Sequence, residues 1–191
     1  MHDPEPIRPD RLSAVYVFGT CLIDTLFPQA GLCAMRLLRR AGLRVIYPQG
    51  QTCCGQPAYN SGYRDEALRV ARAQLAAFPL DIPIVVPSAS CAGMLRVHYQ
   101  ELFAGMADQA RAEALSRRVY ELTEFLVRVL DVKPDDLGPP VRVALHNSCS
   151  ARREAASRRS ESPWVNASRA FAAPASRSRS PCAVLASRRD R

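Results

Sequence analysis

Apolar and polar positions along the chain switch between two periods. The run from Ala14 to Phe18 is unbroken and rich in β-branched and aromatic residues, the pattern of a short buried strand. Beyond Gly19, Thr20 and Cys21 the period changes. Leu32, Met35, Leu37 and Leu38 recur at near-helical spacing, predicting a helix over about 30–41 that Gly42 stops. Arg44 to Tyr47 reads as a second strand, closed by Pro48 and Gly50. Residues 51–62 read as a loop, because Gly55, Pro57, Asn60, Ser61 and Gly62 are turn formers. Leu68, Ala71, Leu75 and Phe78 predict a helix over about 64–78, with Asp65 and Glu66 in the first turn, where the helix dipole favours them. Pro83 to Pro87 is a third strand, followed by Cys91 and a helix over about 92–103. Leu115, Val119, Leu122, Leu126 and Val129 recur every three or four positions and predict one long helix over about 107–130. Val141 to Leu145 is a fourth strand, leading to His146 and Cys149.

This order predicts an α/β fold: a mostly parallel open sheet with helices on both faces and right-handed crossovers. The segments Val15–Cys21 and Arg142–Cys149 match each other, each a strand ending in a cysteine. That predicts a two-unit repeat whose second unit begins near Val141. In the first unit Cys53, Cys54 and Gly55 follow Cys21 by 32 residues, but only Cys182 lies at the equivalent place after Cys149, so the second unit is incomplete.

Charge sharpens that division. The chain has 191 residues, 48% of them hydrophobic, and a net charge of +8. Residues 151–191 hold ten arginines against three acids, while the first 150 residues carry a net charge of +1. Alanine, arginine and serine make up 28 of those last 41 residues. The expected organisation is therefore a polar lead over 1–11, a first α/β unit over 12–140, the start of a second over 141–153, and a tail over 154–191. The tail reads as disordered or out of frame, since a shifted frame in a GC-rich coding sequence yields arginine, alanine, serine and proline. A nucleic-acid-binding arm is the rival reading, but the tail offers only Trp164 and Phe171 for stacking. The first apolar run is too short for an export signal or a membrane span, which points to the cytoplasm.

Seven cysteines in a reducing compartment fit a disulfide framework poorly. Cys21, Cys53, Cys54, Cys91 and Cys149 each follow a predicted strand, so all five fall on the carboxyl edge of one sheet, where open α/β folds bind ligands. Thiolates gathered there suit a soft metal centre. A cysteine-ligated iron–sulfur cluster fits best, with zinc and uncoordinated thiols as the alternatives. The side chains of adjacent Cys53 and Cys54 diverge, which suits two metal ions better than one. Gly55 after them permits close backbone approach or positive φ. Tyr59, Asn60 and Ser61 are candidates for lining the rim; otherwise they make a turn closing onto the helix at Arg64. Cys33, beside Leu32 and Met35, reads as a core residue, and His98 as a surface one. No nucleophile–base triad, phosphate-binding glycine loop or carboxylate pair stands out.

The stretches around Cys21, from Tyr47 to Gly50, from Cys53 to Gly62 and from Pro87 to Cys91 resemble the cysteine-rich "CCG" domain family. That family includes the cysteine-rich subunit of heterodisulfide reductases, the iron–sulfur subunit of glycolate oxidases and, most similar, the lactate utilization A proteins. The resemblance covers about residues 12–153. It implies an iron–sulfur electron-transfer subunit, with a cluster of [4Fe-4S] type, in the oxidation of L-lactate or another 2-hydroxy acid to pyruvate. It also implies lactate utilization proteins B and C, or equivalent redox subunits, as partners. Carried over, Cys21, Cys53, Cys54, Cys91 and Cys149 match ligand or motif positions, and Met94 stands where a strict C-x-x-C ending places a cysteine.

Overall fold

The computed structural model describes residues 12–132. Four parallel strands form one sheet in the order β2-β1-β3-β4: β1 is Ala14–Val17, β2 Arg44–Ile46, β3 Ile84–Val86 and β4 Val119–Glu121. Tyr16 pairs with Ile46 on one side and Ile84 on the other, and Val85 pairs with Tyr120. β1 and β3 are buried at every position, as continuous apolar runs in central parallel strands should be. β2, on the edge, is exposed to half-buried. The chain moves from β1 outward to β2, then back past β1 to β3. With right-handed crossovers, that reversal sends successive helices to opposite faces of the sheet.

After β1 come α1 (Cys21–Leu26) and α2 (Pro28–Arg40); after β2 come α3 (Gln56–Asn60) and α4 (Arg64–Ala77). β3 leads into one continuous helical stretch: α5 (Ala89–Gly93), a π-helical segment (Met94–His98) and α6 (Tyr99–Leu102). α7 (Gln109–Arg117) precedes β4, and α8 (Leu122–Glu124) continues as a second π-helical segment, Phe125–Val129. The core joins Tyr16, Phe18, Phe78, Ile84, Val86, Leu95 and Phe103 around the inner strands, with Cys54 and Cys91 among its members.

The long helix expected over 107–130 is broken by β4. The apolar spacing across that region is helical, but Arg118 and Arg96 impose a strand. The Arg118 guanidinium donates to the carbonyls of Phe78, Leu80 and Ile82, while the Arg118 carbonyl accepts from Ile84 N at 2.8 Å. Arg96 donates to the Val119 carbonyl through Nε and an Nη at 3.1 and 2.6 Å and pairs with Glu124 at 2.7 Å. Glu121 then restarts the helix: its carboxylate accepts from Thr123 N and Glu124 N, while Glu124 accepts from Glu121 N. The fourth strand expected at Val141–Leu145, the start of the second unit, Cys149 and the tail lie outside the described residues. Among the described residues there is one unit and no second copy of it.

Candidate metal centre

The carboxyl ends of β1, β2 and β3 bring Cys21, Cys53, Cys54 and Cys91 to the same edge of the sheet. Each is held by a different local device. Cys21 is the first residue of α1 and is exposed. Before it, Thr20 adopts φ +50°, rare for a β-branched residue, and its Oγ1 caps the helix by accepting from Ile23 N at 3.2 Å. A Cβ at Gly19 would meet the ring and hydroxyl of Tyr47, so a larger residue there would push the tyrosine ring aside.

The Cys53–Cys54 loop hangs from three polar side chains that periodicity could not reveal. The Gln51 amide bridges the end of β1, accepting from Gly19 N at 2.8 Å and donating to the Val17 carbonyl at 3.3 Å. Gln74, fully buried on α4, donates to Thr52 Oγ1 at 2.6 Å and accepts from Thr52 N at 3.3 Å. The buried Tyr99 hydroxyl donates to the Cys54 carbonyl at 3.0 Å. Gly55, at φ +85°, turns the chain into α3, and its N–H donates to Cys53 Sγ at 3.4 Å. A glutamine on the apolar face shared by Leu68, Ala71 and Leu75 was the one visible hint of this support.

The thiols sort into two pairs. Cys21 Sγ lies 3.6 Å from Cys53 Sγ, and Cys54 Sγ lies 3.4 Å from Cys91 Sγ. Adjacent Cys53 and Cys54 thus face different partners. Among the described residues no group of three or more His, Cys, Asp or Glu side chains converges as a metal site. The inner pair is polarised. The Cys54 thiol is pushed up, first by its hydrogen bond to Cys91 and then by burial. Cys91 is lowered to about 7, chiefly by that hydrogen bond, with help from the hydroxyls of Ser88 and Ser90. The stable arrangement is a Cys54 S–H donating to a Cys91 thiolate. Cys21 is raised by partial burial and by Cys53. The Tyr99 phenol is pushed well up by burial and by the charge of the nearby cysteines, so it stays a donor.

Tyr59 lies on α3 with its hydroxyl donating to Glu101 at 2.8 Å and its ring 4.9 Å from that of His98. Asn60 ends α3 and Ser61 caps it; both are exposed, in the turn that leads into α4. His98, read as a surface residue, is partly exposed and contacts Glu101 at 3.3 Å. Cys33 is half-buried on α2 rather than part of the core.

Fold and edge together define an open parallel α/β domain that presents paired thiols at its topological switch point. The cysteine-rich domain designated CCG matches residues 15–96. The chain is 41% identical over 140 residues to lactate utilization protein A 2 of Bacillus cereus (strain 03BB102), spanning 73% of this chain and 58% of that protein. It is 44% identical over 142 residues to lactate utilization protein A of Geobacillus kaustophilus (strain HTA426), with the same shares covered. Lactate utilization protein A 1 of Bacillus anthracis (strain CDC 684 / NRRL 3495) is 40% identical over 140 residues. The chain spans less than two thirds of the length of these relatives, 58%. No solved structure matches it.

Proposed function

We propose that the chain is an iron–sulfur electron-transfer protein of the lactate-utilization type, serving the oxidation of L-lactate or a related 2-hydroxy acid to pyruvate. One observation carries this reading: three successive strand ends deliver four sulfur donors to one sheet edge, inside the stretch matched by the CCG cysteine-rich domain, in a chain similar to the lactate utilization A proteins.

The donor type, sulfur alone, suits such a group. Two thiolates on one tetrahedral metal, each bonded at about 2.3 Å, lie about 3.8 Å apart. The pairs at 3.6 and 3.4 Å are near that bite; a [4Fe-4S] cluster takes one thiolate per iron, so both couples would open to receive it. Sulfur-only donors select soft centres. Cys21, Cys53, Cys54 and Cys91 would hold the cluster, of [4Fe-4S] type, with Cys149 as a further ligand. When bound, the cluster supplies one-electron transfer at a potential set by burial and by hydrogen bonds to its sulfurs. The chain's own residues do the rest. Gly55 N–H supplies one such hydrogen bond, burial of Cys54 and Cys91 keeps water off the inner sulfurs, and Gln51, Gln74 and Tyr99 fix the loop. In this reading Tyr59, Asn60 and Ser61, in and just after the helix that follows Gly55, would line the rim beside the cluster.

The chain acts in this reading as a redox subunit alongside lactate utilization proteins B and C or equivalent subunits, in the cytoplasm and without a nucleic-acid partner. Residues 141–153 begin a second unit of the same type. Among the described residues no helix is long and apolar enough to cross a membrane. Anaerobic purification tests the proposal. A brown protein with charge-transfer absorbance, several irons and matching sulfide per chain supports it; a colourless protein holding a single zinc ion overturns it.

A further inference from the structure

The thiols at the sheet edge lie in two couples rather than a ring. Among the described residues each of these sulfurs has one thiol neighbour within 3.6 Å, and the neighbours are Cys21 with Cys53 and Cys54 with Cys91. A disulfide bond of about 2.05 Å is within reach of both by a shift of about 1.5 Å. The alternative most obvious from sequence, a bond between the adjacent Cys53 and Cys54, is opposed by the loop. Gly55 at φ +85°, the Tyr99 hydrogen bond to the Cys54 carbonyl and the Gln74 bonds to Thr52 hold the two side chains apart. Within each couple one sulfur is more open than the other: Cys21 over the half-buried Cys53, and Cys91 at 8% exposure over Cys54 at 2%.

We infer that this edge is a paired dithiol site, which a small-molecule disulfide converts to two intrachain disulfides, Cys21–Cys53 and Cys54–Cys91, and a small thiol restores. In each couple the more open thiolate attacks one sulfur of the reagent disulfide, forming a mixed disulfide and releasing one reagent thiolate. Its neighbour then attacks the protein sulfur of that mixed disulfide, closes the intrachain bond and expels the second reagent thiolate. Each couple gives up two electrons and two protons, and each reagent disulfide becomes two thiols. With both couples closed, none of the four sulfurs remains a thiolate. The inference rests on the thiol geometry alone and describes the chain free of metal, since a cluster held by the same four sulfurs would occupy the thiolates that exchange needs.

The test uses the 191-residue chain, freed of metal by chelation under anaerobic, reducing conditions, then exposed to glutathione disulfide, quenched in acid, alkylated and mapped by mass spectrometry. The expected result is loss of alkylation at all four positions into two crosslinks, Cys21–Cys53 and Cys54–Cys91, both reversed by reduced glutathione. Cys53→Ser should leave Cys21 as a glutathione adduct while Cys54–Cys91 still closes. Cys54→Ser should leave Cys21–Cys53 intact and abolish the inner crosslink. A dominant Cys53–Cys54 or Cys21–Cys91 bond, or glutathione adducts without closure in the unaltered chain, overturns the inference. Iron content is a separate measurement, so failure of the cluster reading leaves this map interpretable, and the reverse also holds.

Discussion

The outer pair, Cys21 and Cys53, and the inner pair, Cys54 and Cys91, share an edge and a chemistry but not a foundation. Cys21 begins a six-residue helix with no buried residue, and its neighbours Leu22, Leu26 and Phe27 are 55%, 61% and 58% exposed. One capping bond and a strained Thr20 hold it in place. Cys54 and Cys91 belong to the hydrophobic core. Behind them stands a layer of satisfied polar groups: Tyr99 on the Cys54 carbonyl, and Arg96 tying the helix after Cys91 to β4. The contrast teaches that the residues beneath the sulfurs decide how firmly each pair is placed.

The heaviest blow to the inner half should come from Arg96→Ala. It removes the buried guanidinium from Glu124 and frees the Val119 carbonyl, costing about 3 kcal/mol in urea unfolding, while Glu124 keeps Arg128 at 3.6 Å and the Glu121 N–H. Next is Gln74→Leu, which removes both contacts that seat Thr52. A loss of about 1–3 kcal/mol is expected, with faster alkylation of Cys53, since the loop loses its tether to α4. Thr20→Ala should cost about 1 kcal/mol through the lost cap and leave alkylation of Cys91 unchanged, confining the damage to the outer half. Thr20→Gly should recover part of that loss, because glycine accepts φ +50° without strain. The mildest change is one of reactivity. Alkylation of Cys91 by iodoacetamide should rise with pH through about 7, since the Cys54 S–H and the hydroxyls of Ser88 and Ser90 stabilise its thiolate. Cys54→Ala removes the main donor and should move that midpoint upward. An unmoved midpoint would show that the two inner sulfurs do not communicate.

β1, β2 and β3 were legible because each is a short apolar or β-branched run bounded by glycine or proline. The cysteines were legible as a group for the same reason, since each follows such a run. β4 was hidden because Val119 falls in step with Leu115 and Leu122 on a helical count. Only the distant Arg96 and the partner strand at Ile84 make it a strand. α3 was hidden because Pro57, read as a turn former, sits in the first turn of the helix, where its missing N–H costs nothing. The division of the thiols into pairs was half legible: adjacent side chains must diverge, but which sulfur each would meet depends on strand order. Gln51, Gln74 and Tyr99 act on backbone groups 22 to 45 positions away, a relation that no local pattern encodes.

The buried amide of Gln74 ties the cysteine loop to the interior of α4. If the loop lifts, that amide faces an apolar interior with neither of its partners, so displacement of Cys53 and Cys54 must loosen the helix beneath them. By thermodynamic linkage the converse follows: whatever fastens the loop, a metal or a crosslink, also fastens α4. Slower amide hydrogen exchange along Arg64–Ala77 would then report events at the sulfur atoms of the loop above.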